Sequence, residues 1–402
     1  MHCYACDMNI ITDHEKIETA LFRGVAEIIH KDALLEKMQS GEQLRIKLGI
    51  DPTSPNLHLG RSIPLLKLRD FQELGHQIVL IIGDFTGLVG DTSDKESERP
   101  MLTKETVQKN LETYAAQAGF ILDMTKVEVR HNSEWLGDLS YEDILQHANE
   151  FSVNGFIARD LIKRRLDEGK RVSLREVLYP LMQGYDSVAV KADVEMGGTD
   201  QRFNLLAGRE LQRAYGQEPQ NIVMNELING LDGRKMSSSW GNTVNLTDSS
   251  DDMYGKIMSL HDDLIITYFT LLTRVSMVDI KDYEKELSEK GNFKDIKHVL
   301  AREIVSMYHD EKEAQDAEDR WVQTFSHKQL PDEMPEITPE KDEALIDVLV
   351  RSGLVDSKKQ VRRLIDEGAL TNRDTDQKIN DPQIKASPMV LQIGKKRFLK
   401  IM

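Results

Sequence analysis

The sequence predicts an α/β protein: a Rossmann-like domain built on a parallel sheet, then a helical domain, then a small α+β domain at the end of the chain. Three observations support this fold class. Strand-length apolar runs alternate with helical patterns up to about residue 249, residues 250–328 carry almost only helical patterns, and a proline-rich acidic stretch precedes residues 343–402. A chain of 402 residues is long enough for several such domains.

The alternation begins with residues 44–50, an apolar run bounded by Gly41 and Asp51, which we expect to be a buried strand. Apolar residues then recur at helical spacing, and a second apolar run follows. The predicted strands are 44–50, 77–84 and 191–198, and the predicted helices are 58–74, 103–118 and 203–215. Short loops between a strand and the next helix favour parallel strands in one sheet.

The proline-rich stretch places Pro331, Pro335 and Pro339 among acidic residues, a composition that is incompatible with a helix or a central strand. We therefore predict a stiff linker there. The expected organisation is an N-terminal helical segment at 1–40, the Rossmann-like domain at 41–249, the helical domain at 250–328, the linker at 329–342 and the last domain at 343–402.

Charge is distributed unevenly along the chain. The net charge is −16, which argues against a surface that coats nucleic acid in general. Residues 343–402 contain 12 Lys+Arg and 8 Asp+Glu, so they carry +4 and the rest of the chain carries −20. An acidic body with a basic last domain suits a protein that grips a polyanion locally, although a solvated charged tail without a partner would have the same composition.

The sequence shows no membrane or export signal. No apolar run approaches the roughly 18 residues that a membrane span needs, and the N-terminus lacks the pattern of a secretory signal. We therefore expect a cytoplasmic protein. Cys3 and Cys6 form a C-x-x-C pair with His2 and His14 nearby, but zinc needs four ligands, so we favour two reduced thiols and predict no metal there.

His58 and Arg61 lie at a predicted strand-to-helix junction, where free backbone N–H groups face outward. Ligands of parallel α/β sheets bind outside the carboxyl ends of the strands, which is where this loop falls. Gly60 would let a flat base approach the backbone, and the two cationic or hydrogen-bonding side chains share one helix face. The pattern indicates a phosphate site, with an ordinary surface helix start as the alternative.

A second stretch, GLDGRKMSSSWGN at 230–242, could by itself be a flexible linker. Together, however, H-x-G-x and K-M-S-x-S form the paired signature of the class I aminoacyl-tRNA synthetases. The stretches GIDPTSPNLHLG (49–60), GDFTGLVGDTS (83–93) and 179–220 resemble the bacterial tyrosyl-tRNA synthetases at nearly every position. The resemblance extends from about residue 20 to the end of the chain, with the motifs in the same order.

This resemblance implies an enzyme that activates L-tyrosine with ATP, giving tyrosyl-adenylate and pyrophosphate, and then transfers the tyrosyl group to the 3′ end of tRNA(Tyr). ATP would be a substrate, with Mg²⁺ accompanying it. The family is homodimeric, and the segment near 120–190 would form the interface. The last domain resembles an RNA-binding fold of a ribosomal protein.

The resemblance also assigns residues, motif by motif. The tyrosine-binding residues would be Asp91, Tyr179, Gln183, Asp186 and Gln201, with Asp186 on the substrate phenol. The ATP-binding residues would be Asp51, Thr53, His58, Gly60, Gly198, Asp200, Lys235 and Ser237. The residues that stabilise charge on the phosphates would be His58, Arg61, Lys95, Arg99 and Lys235, and the RNA-binding residues Lys358, Lys359, Arg362 and Arg363.

Three positions depart from the family pattern. Arg61 stands where the family has a second histidine, and Ser238 stands where it has a second lysine. Lys47 takes a position at which one branch of the family has a tyrosine that contacts the substrate phenol. We hypothesise that Arg61 supplies part of the positive charge that Ser238 does not, with a solvent-directed Arg61 as the alternative.

Two other functions are compatible with the same motifs. One is a synthetase-like RNA-binding protein that has lost aminoacylation, and the other is a different nucleotidylyltransferase. We favour the enzyme because an RNA-binding protein has no use for an amino-acid pocket. We favour tyrosine over tryptophan because tryptophan-specific relatives have methionine at the position of Gln183 and usually lack a basic last domain.

Overall fold

The computed structural model describes residues 10–91, 102–325, 334–340, 343–375, 377–382, 384–394 and 397–402. They form two compact units, one ending at Glu318 and the other beginning at Asp319. Lys95 and Arg99, together with Cys3 and Cys6, lie outside the described residues. No helix in the described part of the chain is long and apolar enough to cross a membrane.

The first unit contains a six-stranded sheet with the strand order β1-β6-β5-β2-β3-β4. Its strands are β1 (Val25–Ile29), β2 (Arg45–Ile50), β3 (Gln77–Ile82), β4 (Val127–His131), β5 (Val194–Gly198) and β6 (Asn221–Asn225). All neighbouring pairs are parallel except β1 with β6. The three predicted strands are confirmed as β2, β3 and β5, and the parallel sheet is confirmed with them.

The N-terminal helical segment predicted at 1–40 also contains strand β1, which pairs antiparallel with β6 at the sheet edge. That part of the prediction is wrong. The strand has only five residues, VAEII, and lies between two short helices. Because it is an edge strand, it has one neighbouring strand in the sheet. Its pairing with residues about 200 positions away decides its conformation, and local periodicity does not reveal such a contact.

Helices pack on both faces of this sheet and continue beyond it. They are α1 (His14–Phe22), α2 (Lys31–Gln39), α3 (Leu59–Glu73), α4 (Thr86–Val89), α5 (Lys104–Ala118), α6 (Ser133–Leu136), α7 (Tyr141–Asn149), α8 (Val153–Ile157), α9 (Asp160–Asp167), α10 (Leu174–Val190) and α11 (Arg202–Ala214). The predicted helices are confirmed as α3, α5 and α11. The region predicted to be helical contains α12 (Ser250–Met258), α13 (Ile265–Leu272), α14 (Met277–Lys290), α15 (Phe293–Tyr308) and α16 (Glu311–Phe325).

Two elements of the first unit position the site. Strand β2 is central in the sheet and ends at Ile50, directly before the loop that leads into α3. Helix α10 starts from a capping box in which Ser173 and Glu176 exchange hydrogen bonds, and it packs closely on α11. One face of α10 is therefore buried against the sheet, and its polar residues on that face must find partners inside the protein.

The second unit is a small α+β domain around its own apolar core. Its strands β7 (Glu336–Ile337), β8 (Leu370–Asn372), β9 (Gln377–Lys378), β10 (Met389–Ile393) and β11 (Arg397–Ile401) form a sheet of order β7-β11-β10-β8-β9. Helices α17 (Leu345–Arg351) and α18 (Lys358–Asp366) contribute the other half of the core. Strand β7 lies within the predicted linker and forms an edge strand parallel to β11, so the end of that stretch belongs to this sheet.

Candidate active site

A cavity of about 590 Å³ opens at the carboxyl ends of the parallel strands of the first unit. Its size suits a nucleotide with a small organic molecule. The cavity lining includes these sequence-predicted site residues: Asp51, Thr53, His58, Gly60, Arg61, Asp91, Tyr179, Gln183, Asp186, Gly198, Asp200, Gln201, Lys235 and Ser237. Ser238 also lines it. The predicted tyrosine and ATP residues within the described ranges thus converge on one space, although the chain separates them by up to almost 190 positions.

Asp186 lies at one end of the cavity on α10 and is 3% exposed. The indole Nε1 of Trp135 donates a hydrogen bond to Asp186 Oδ1 at 2.8 Å, and Asn132 Nδ2 donates to Oδ2 at 3.4 Å. Burial raises the pKa of this carboxyl to about 7, against the opposing effects of the Lys47 charge and of these two donors. The oxygens of Asp186 remain hydrogen-bond acceptors that suit a hydroxyl group.

Sequence reasoning missed Asn132 and Trp135. Asn132 directly follows β4 and its side chain is buried, where Nδ2 also donates to Thr86 Oγ1 at 2.9 Å. A polar residue at the carboxyl end of a parallel strand is a recognisable candidate for a site, so this signal was present in the sequence. The strand itself had not been predicted, which is why the signal was not used.

Asp51, Tyr179 and Thr86 form a hydrogen-bonded group deeper in the cavity wall. Tyr179 OH donates to Asp51 Oδ2 at 2.8 Å, and Thr86 Oγ1 donates to Oδ1 at 2.7 Å. Burial raises the pKa of Asp51 to about 6, and burial beside Asp51 raises the pKa of Tyr179 well above its usual range. Both carboxylate oxygens of Asp51 already have partners, so in this structure Asp51 orients Tyr179.

Asp91 and Gln201 meet at another point of the cavity wall. Gln201 Nε2 donates to Asp91 Oδ2 at 2.6 Å, and Asn204 Nδ2 donates to Gln201 Oε1 at 3.0 Å. Gln183 is held differently, because its Nε2 donates to the buried carboxylate of Glu195 at 3.1 Å. The Asp91 carboxylate, the Tyr179 phenol and the amides of Gln183 and Gln201 therefore line the same cavity as Asp186. This environment suits an ammonium group.

His58 caps the start of α3 with extended backbone, and its side chain is buried. Among the described residues its Nδ1 has no hydrogen-bond partner. Burial, together with the positive charges of Arg61 and Lys235, lowers the pKa of His58 to about 3. The imidazole is therefore neutral at physiological pH. A Cβ at Gly60 would lie 3.1 Å from Nδ1, a tight contact that would require the ring to shift by a few tenths of an ångström.

Backbone hydrogen bonds join the first signature stretch to the segment that directly follows the second. Leu59 N donates to Val244 O at 2.9 Å, and Leu246 N donates to Leu57 O at 2.9 Å. Gly60 N also lies 3.2 Å from Met236 Sδ, within the K-M-S-x-S stretch. These bonds fix the two predicted phosphate-binding loops beside each other on the same cavity.

Arg61 points into the site and not to solvent, so the alternative of a solvent-directed Arg61 is wrong. Its Nη2 donates to Thr53 Oγ1 at 2.8 Å and its Nη1 to Tyr114 OH at 2.9 Å. Tyr114 comes from α5 and is buried. Arg61 thus ties the loop after β2 to α3 and α5, a role that sequence reasoning had not anticipated because Tyr114 carries no motif.

Lys235 in the second signature stretch forms an ion pair with Asp200, with 2.9 Å between Nζ and Oδ2. Both residues were predicted to contact ATP. The turn that presents Lys235 is fixed by Asn242, whose Nδ2 donates to Asp232 Oδ1 at 2.7 Å and whose Oδ1 accepts from Ser237 N at 2.9 Å. The stretch is therefore an ordered loop in this structure and not a flexible linker.

Comparison with known protein families shows which family this chain belongs to. Residues 38–326 match the family of class I tRNA synthetases for tryptophan and tyrosine, and residues 326–401 match the SYY-like C-terminal domain of tyrosine–tRNA ligases. The chain belongs to the tyrosine–tRNA ligase family. The first match alone leaves tryptophan open, and the second favours tyrosine.

Curated relatives agree along the whole chain. The tyrosine–tRNA ligase of Thermotoga maritima is 43% identical over 396 residues, covering 97% of this chain and 98% of the relative. That of Moorella thermoacetica is 44% identical over 395 residues, covering 95% and 94%. Among solved structures, the tyrosyl-tRNA synthetase of Archaeoglobus fulgidus, complexed with L-tyrosine, covers 76% of this chain and 99% of its own with a TM-score of 0.61. At 21% identity this likeness shows the fold alone.

The last domain of this tyrosine–tRNA ligase family member carries the predicted RNA-binding residues on α18. Ser357 caps the helix, and Val361, Leu364 and Ile365 face the core. The four predicted cations, Lys358, Lys359, Arg362 and Arg363, are all exposed. Lys358 pairs with Asp347 at 2.5 Å and Arg363 with Glu367 at 3.5 Å, so part of this charge is balanced within the domain.

Proposed function

We propose that this protein activates L-tyrosine with ATP and transfers the tyrosyl group to the 3′ end of tRNA(Tyr). One observation carries the proposal: a buried carboxylate, Asp186, lies in the same cavity as both signature loops. Binding of tyrosyl-adenylate requires a group that accepts a hydrogen bond from the phenol hydroxyl and a phosphate-binding region close to it. The membership in the tyrosine–tRNA ligase family supports the same function.

Tyrosine would enter with its phenol toward Asp186, and its ammonium would lie near Asp91, Tyr179 and Gln183. Asp186 accepts hydrogen bonds from Trp135 and Asn132, and a phenol O–H would be a further donor to it. Phenylalanine would leave these buried polar groups without that donor, which costs more than the lost contact itself. Tyrosyl-tRNA synthetases are a known example of such discrimination without editing.

The chemical step needs no nucleophile from the protein. The carboxylate of tyrosine attacks the α-phosphate of ATP in line, an O–P bond forms, and the bond to the β-phosphate breaks as pyrophosphate leaves. Arg61 and Lys235 would stabilise the negative charge that develops on the phosphates, and neutral His58 would donate a hydrogen bond. Lys95 and Arg99 stay assigned to the same task as predictions, because they lie outside the described residues.

Mg²⁺ is expected to accompany ATP. Within the described ranges no group of three or more His, Cys, Asp or Glu residues could hold a metal ion. Mg²⁺ commonly keeps several waters and is held by substrate phosphates, and we propose that it is held in the same way by ATP in this enzyme.

A homodimer is proposed with its interface in the segment near 120–190. Several large apolar side chains of this segment are exposed in the single chain, namely Tyr141, Leu145, Val153, Leu166 and Leu174. Tyr141 and Leu174 are 78% and 72% exposed. Exposed apolar side chains of this kind are common at oligomer interfaces. Because its substrates are tRNA and ATP, we place the enzyme in the cytoplasm.

Tyrosine-dependent exchange of pyrophosphate into ATP tests the proposal. The purified chain should catalyse exchange with L-tyrosine, and exchange with phenylalanine or tryptophan should be weaker by orders of magnitude. If folded protein showed no exchange with tyrosine but retained tRNA binding, the synthetase-like RNA-binding protein would be the better description. Exchange without any amino acid would point to another nucleotidylyltransferase.

A further inference from the structure

A buried ion pair lies directly behind the tyrosine end of the cavity. Lys47 on β2 and Glu195 on β5 are neighbours in the register of the parallel sheet, so their side chains leave the same face. Lys47 Nζ lies 2.9 Å from Glu195 Oε1, and the two side chains are 0% and 1% exposed. Neither residue lines the cavity, and none of the roles described above uses them.

Both charges are engaged with polar partners on α10 and with Gln220, which directly precedes β6. Lys47 Nζ donates to Ser187 Oγ at 2.8 Å and to the backbone oxygen of Gln183 at 3.0 Å. Glu195 accepts from Gln183 Nε2 at 3.1 Å, from Ser187 Oγ at 3.0 Å and from Gln220 Nε2. Gln183 is thus held at both ends, its carbonyl by the cation and its side-chain amide by the anion.

Such a pair is a poor device for stability alone. Removing two charges from water costs several kcal/mol for each ion, and well-packed apolar residues are often as stable in the same place. Its location suggests a different use. Gln183 lines the cavity, and Asp186 follows it by three residues on the same helix. Contacts that hold this turn of α10 in place therefore also hold Gln183 and Asp186 in place relative to each other.

We propose that Lys47, acting with Glu195, is a positioning residue of the tyrosine pocket that fixes Gln183 and the following turn of α10, including Asp186. The proposal rests on the function proposed above. Lys47 does not touch the substrate in this assignment. Another branch of the family has a tyrosine at this position that contacts the substrate phenol. In this chain Lys47 instead acts from behind the pocket wall, and Asn132 and Trp135 donate hydrogen bonds to Asp186.

The pair also sets the electrostatic environment of Asp186. The charged groups that act on this carboxylate are Lys47 from β2 and Glu195 from β5, while Tyr179 faces it from its own helix and Trp135 and Asn132 are neutral donors. The Lys47 charge lowers the pKa of Asp186 and the Glu195 charge raises it. Removing Lys47 alone should therefore shift the protonation of Asp186 to higher pH, and removing Glu195 as well should reverse part of that shift.

The test uses Lys47→Met, the double variant Lys47→Met/Glu195→Gln, and a matched control, Lys67→Met. Lys67 is also a buried lysine in an ion pair, 2.8 Å from Asp70, but it lies outside the lining of the active-site cavity. Pyrophosphate exchange by the full chain gives KM for tyrosine, KM for ATP and kcat, from pH 5.5 to about 9. Circular dichroism confirms that each variant is folded.

For Lys47→Met we expect KM for tyrosine to rise about tenfold or more, KM for ATP to stay within about twofold, and the acidic limb of kcat/KM for tyrosine to move to higher pH. The double variant should return the acidic limb toward that of the unmodified protein. Its KM for tyrosine should stay raised, because the Gln183 carbonyl still lacks its donor. Lys67→Met should change neither constant.

Three results would overturn the assignment: an unchanged KM for tyrosine and an unchanged pH profile in Lys47→Met, equal changes of both KM values, or the same changes in Lys67→Met. If Lys47→Met alone does not fold, the double variant decides, since it buries no unpaired charge; an unchanged KM for tyrosine there refutes positioning. Failure of the proposed function itself looks different, because the unmodified protein would then show no exchange with tyrosine.

Discussion

Replacing Arg61 by histidine restores the residue that the family has at this position, and the structure allows its effect to be estimated. The guanidinium donates two hydrogen bonds, to Thr53 Oγ1 at 2.8 Å and to Tyr114 OH at 2.9 Å. A shorter imidazole cannot make both. Loss of one hydrogen bond to a charged group is worth about 1.5–3 kcal/mol, and a half-buried site favours the lower end, which is about tenfold in rate. We expect Arg61→His to lower kcat/KM for ATP in adenylate formation by about this factor.

The compensation hypothesis adds a second substitution. Ser238 lines the same cavity as Arg61, so Ser238→Lys would return a cation to the other signature loop. We expect Ser238→Lys to restore much of the rate that Arg61→His loses, with a coupling energy above about 0.5 kcal/mol in a double-mutant cycle. Presteady-state or exchange measurements at subsaturating ATP provide the four rate constants.

Two controls separate charge from loop positioning. Arg69→His changes an exposed arginine on the same helix, paired with Glu73 at 2.8 Å, and should leave the rate unchanged. Tyr114→Phe removes one partner of Arg61 while keeping its charge, so a loss similar to that of Arg61→His would assign the effect to positioning of the loop. Strictly additive effects of Arg61→His and Ser238→Lys, or no effect of Arg61→His, would refute compensation and leave the family assignment untouched.

Three further predictions follow from the site and the domain organisation. Deleting residues 343–402 should weaken charging of tRNA and leave pyrophosphate exchange nearly intact, because the cavity is lined by the first unit; loss of exchange in a folded truncation would contradict this. Because kcat/KM reports the free enzyme, kcat/KM for tyrosine should fall as the pH decreases through about 7, where Asp186 takes up a proton, and a flat profile would contradict the role of that carboxylate. Asp186→Asn should abolish activation of tyrosine yet stabilise the protein at pH 8 by up to about 4 kcal/mol, measured by denaturant unfolding. The pKa of Asp186 is raised in the folded state, so its favourable contribution is present below about pH 4 and lost as the pH rises through about 7, and an equal gain at pH 4 would argue against this origin.

The sequence could predict the parts of the site that short motifs carry. His58 and Lys235 line one cavity, as expected for the paired H-x-G-x and K-M-S-x-S signature. Strands β2, β3 and β5 and helices α3, α5 and α11 could be predicted from apolar runs and periodicity, whereas β4, β6 and α10 are not among the predicted elements. The first 40 residues were predicted less well, because β1 is defined by its pairing with β6 and not by its own pattern.

The remaining parts of the site depend on contacts between distant segments. Trp135 reaches Asp186 from 51 positions away, Tyr114 reaches Arg61 from 53, and Glu195 reaches Lys47 from 148. None of these residues belongs to a motif with a known chemical role in the sequence. Their importance follows from which face of the sheet or helix they occupy in three dimensions, and one sequence without its fold does not determine that.

The groups that make the pocket selective lower the folding stability of the protein. Asp51 and Asp186 are buried carboxylates with pKa values raised to about 6 and about 7, so their ionisation near neutral pH lowers the stability of the folded protein relative to the unfolded chain. A neutral pocket would fold more stably but would accept phenylalanine as readily as tyrosine. Trp135 and Asn132 limit this loss of folding stability, because their hydrogen bonds favour the ionised form of Asp186. One substrate hydroxyl would complete the set of donors to this carboxylate. Selectivity for the hydroxyl and reduced stability of the unliganded protein therefore have the same physical origin, and L-tyrosine should raise the melting temperature more at pH 8 than L-phenylalanine at equal concentration. Equal stabilisation by the two amino acids would mean that Asp186 does not read the phenol.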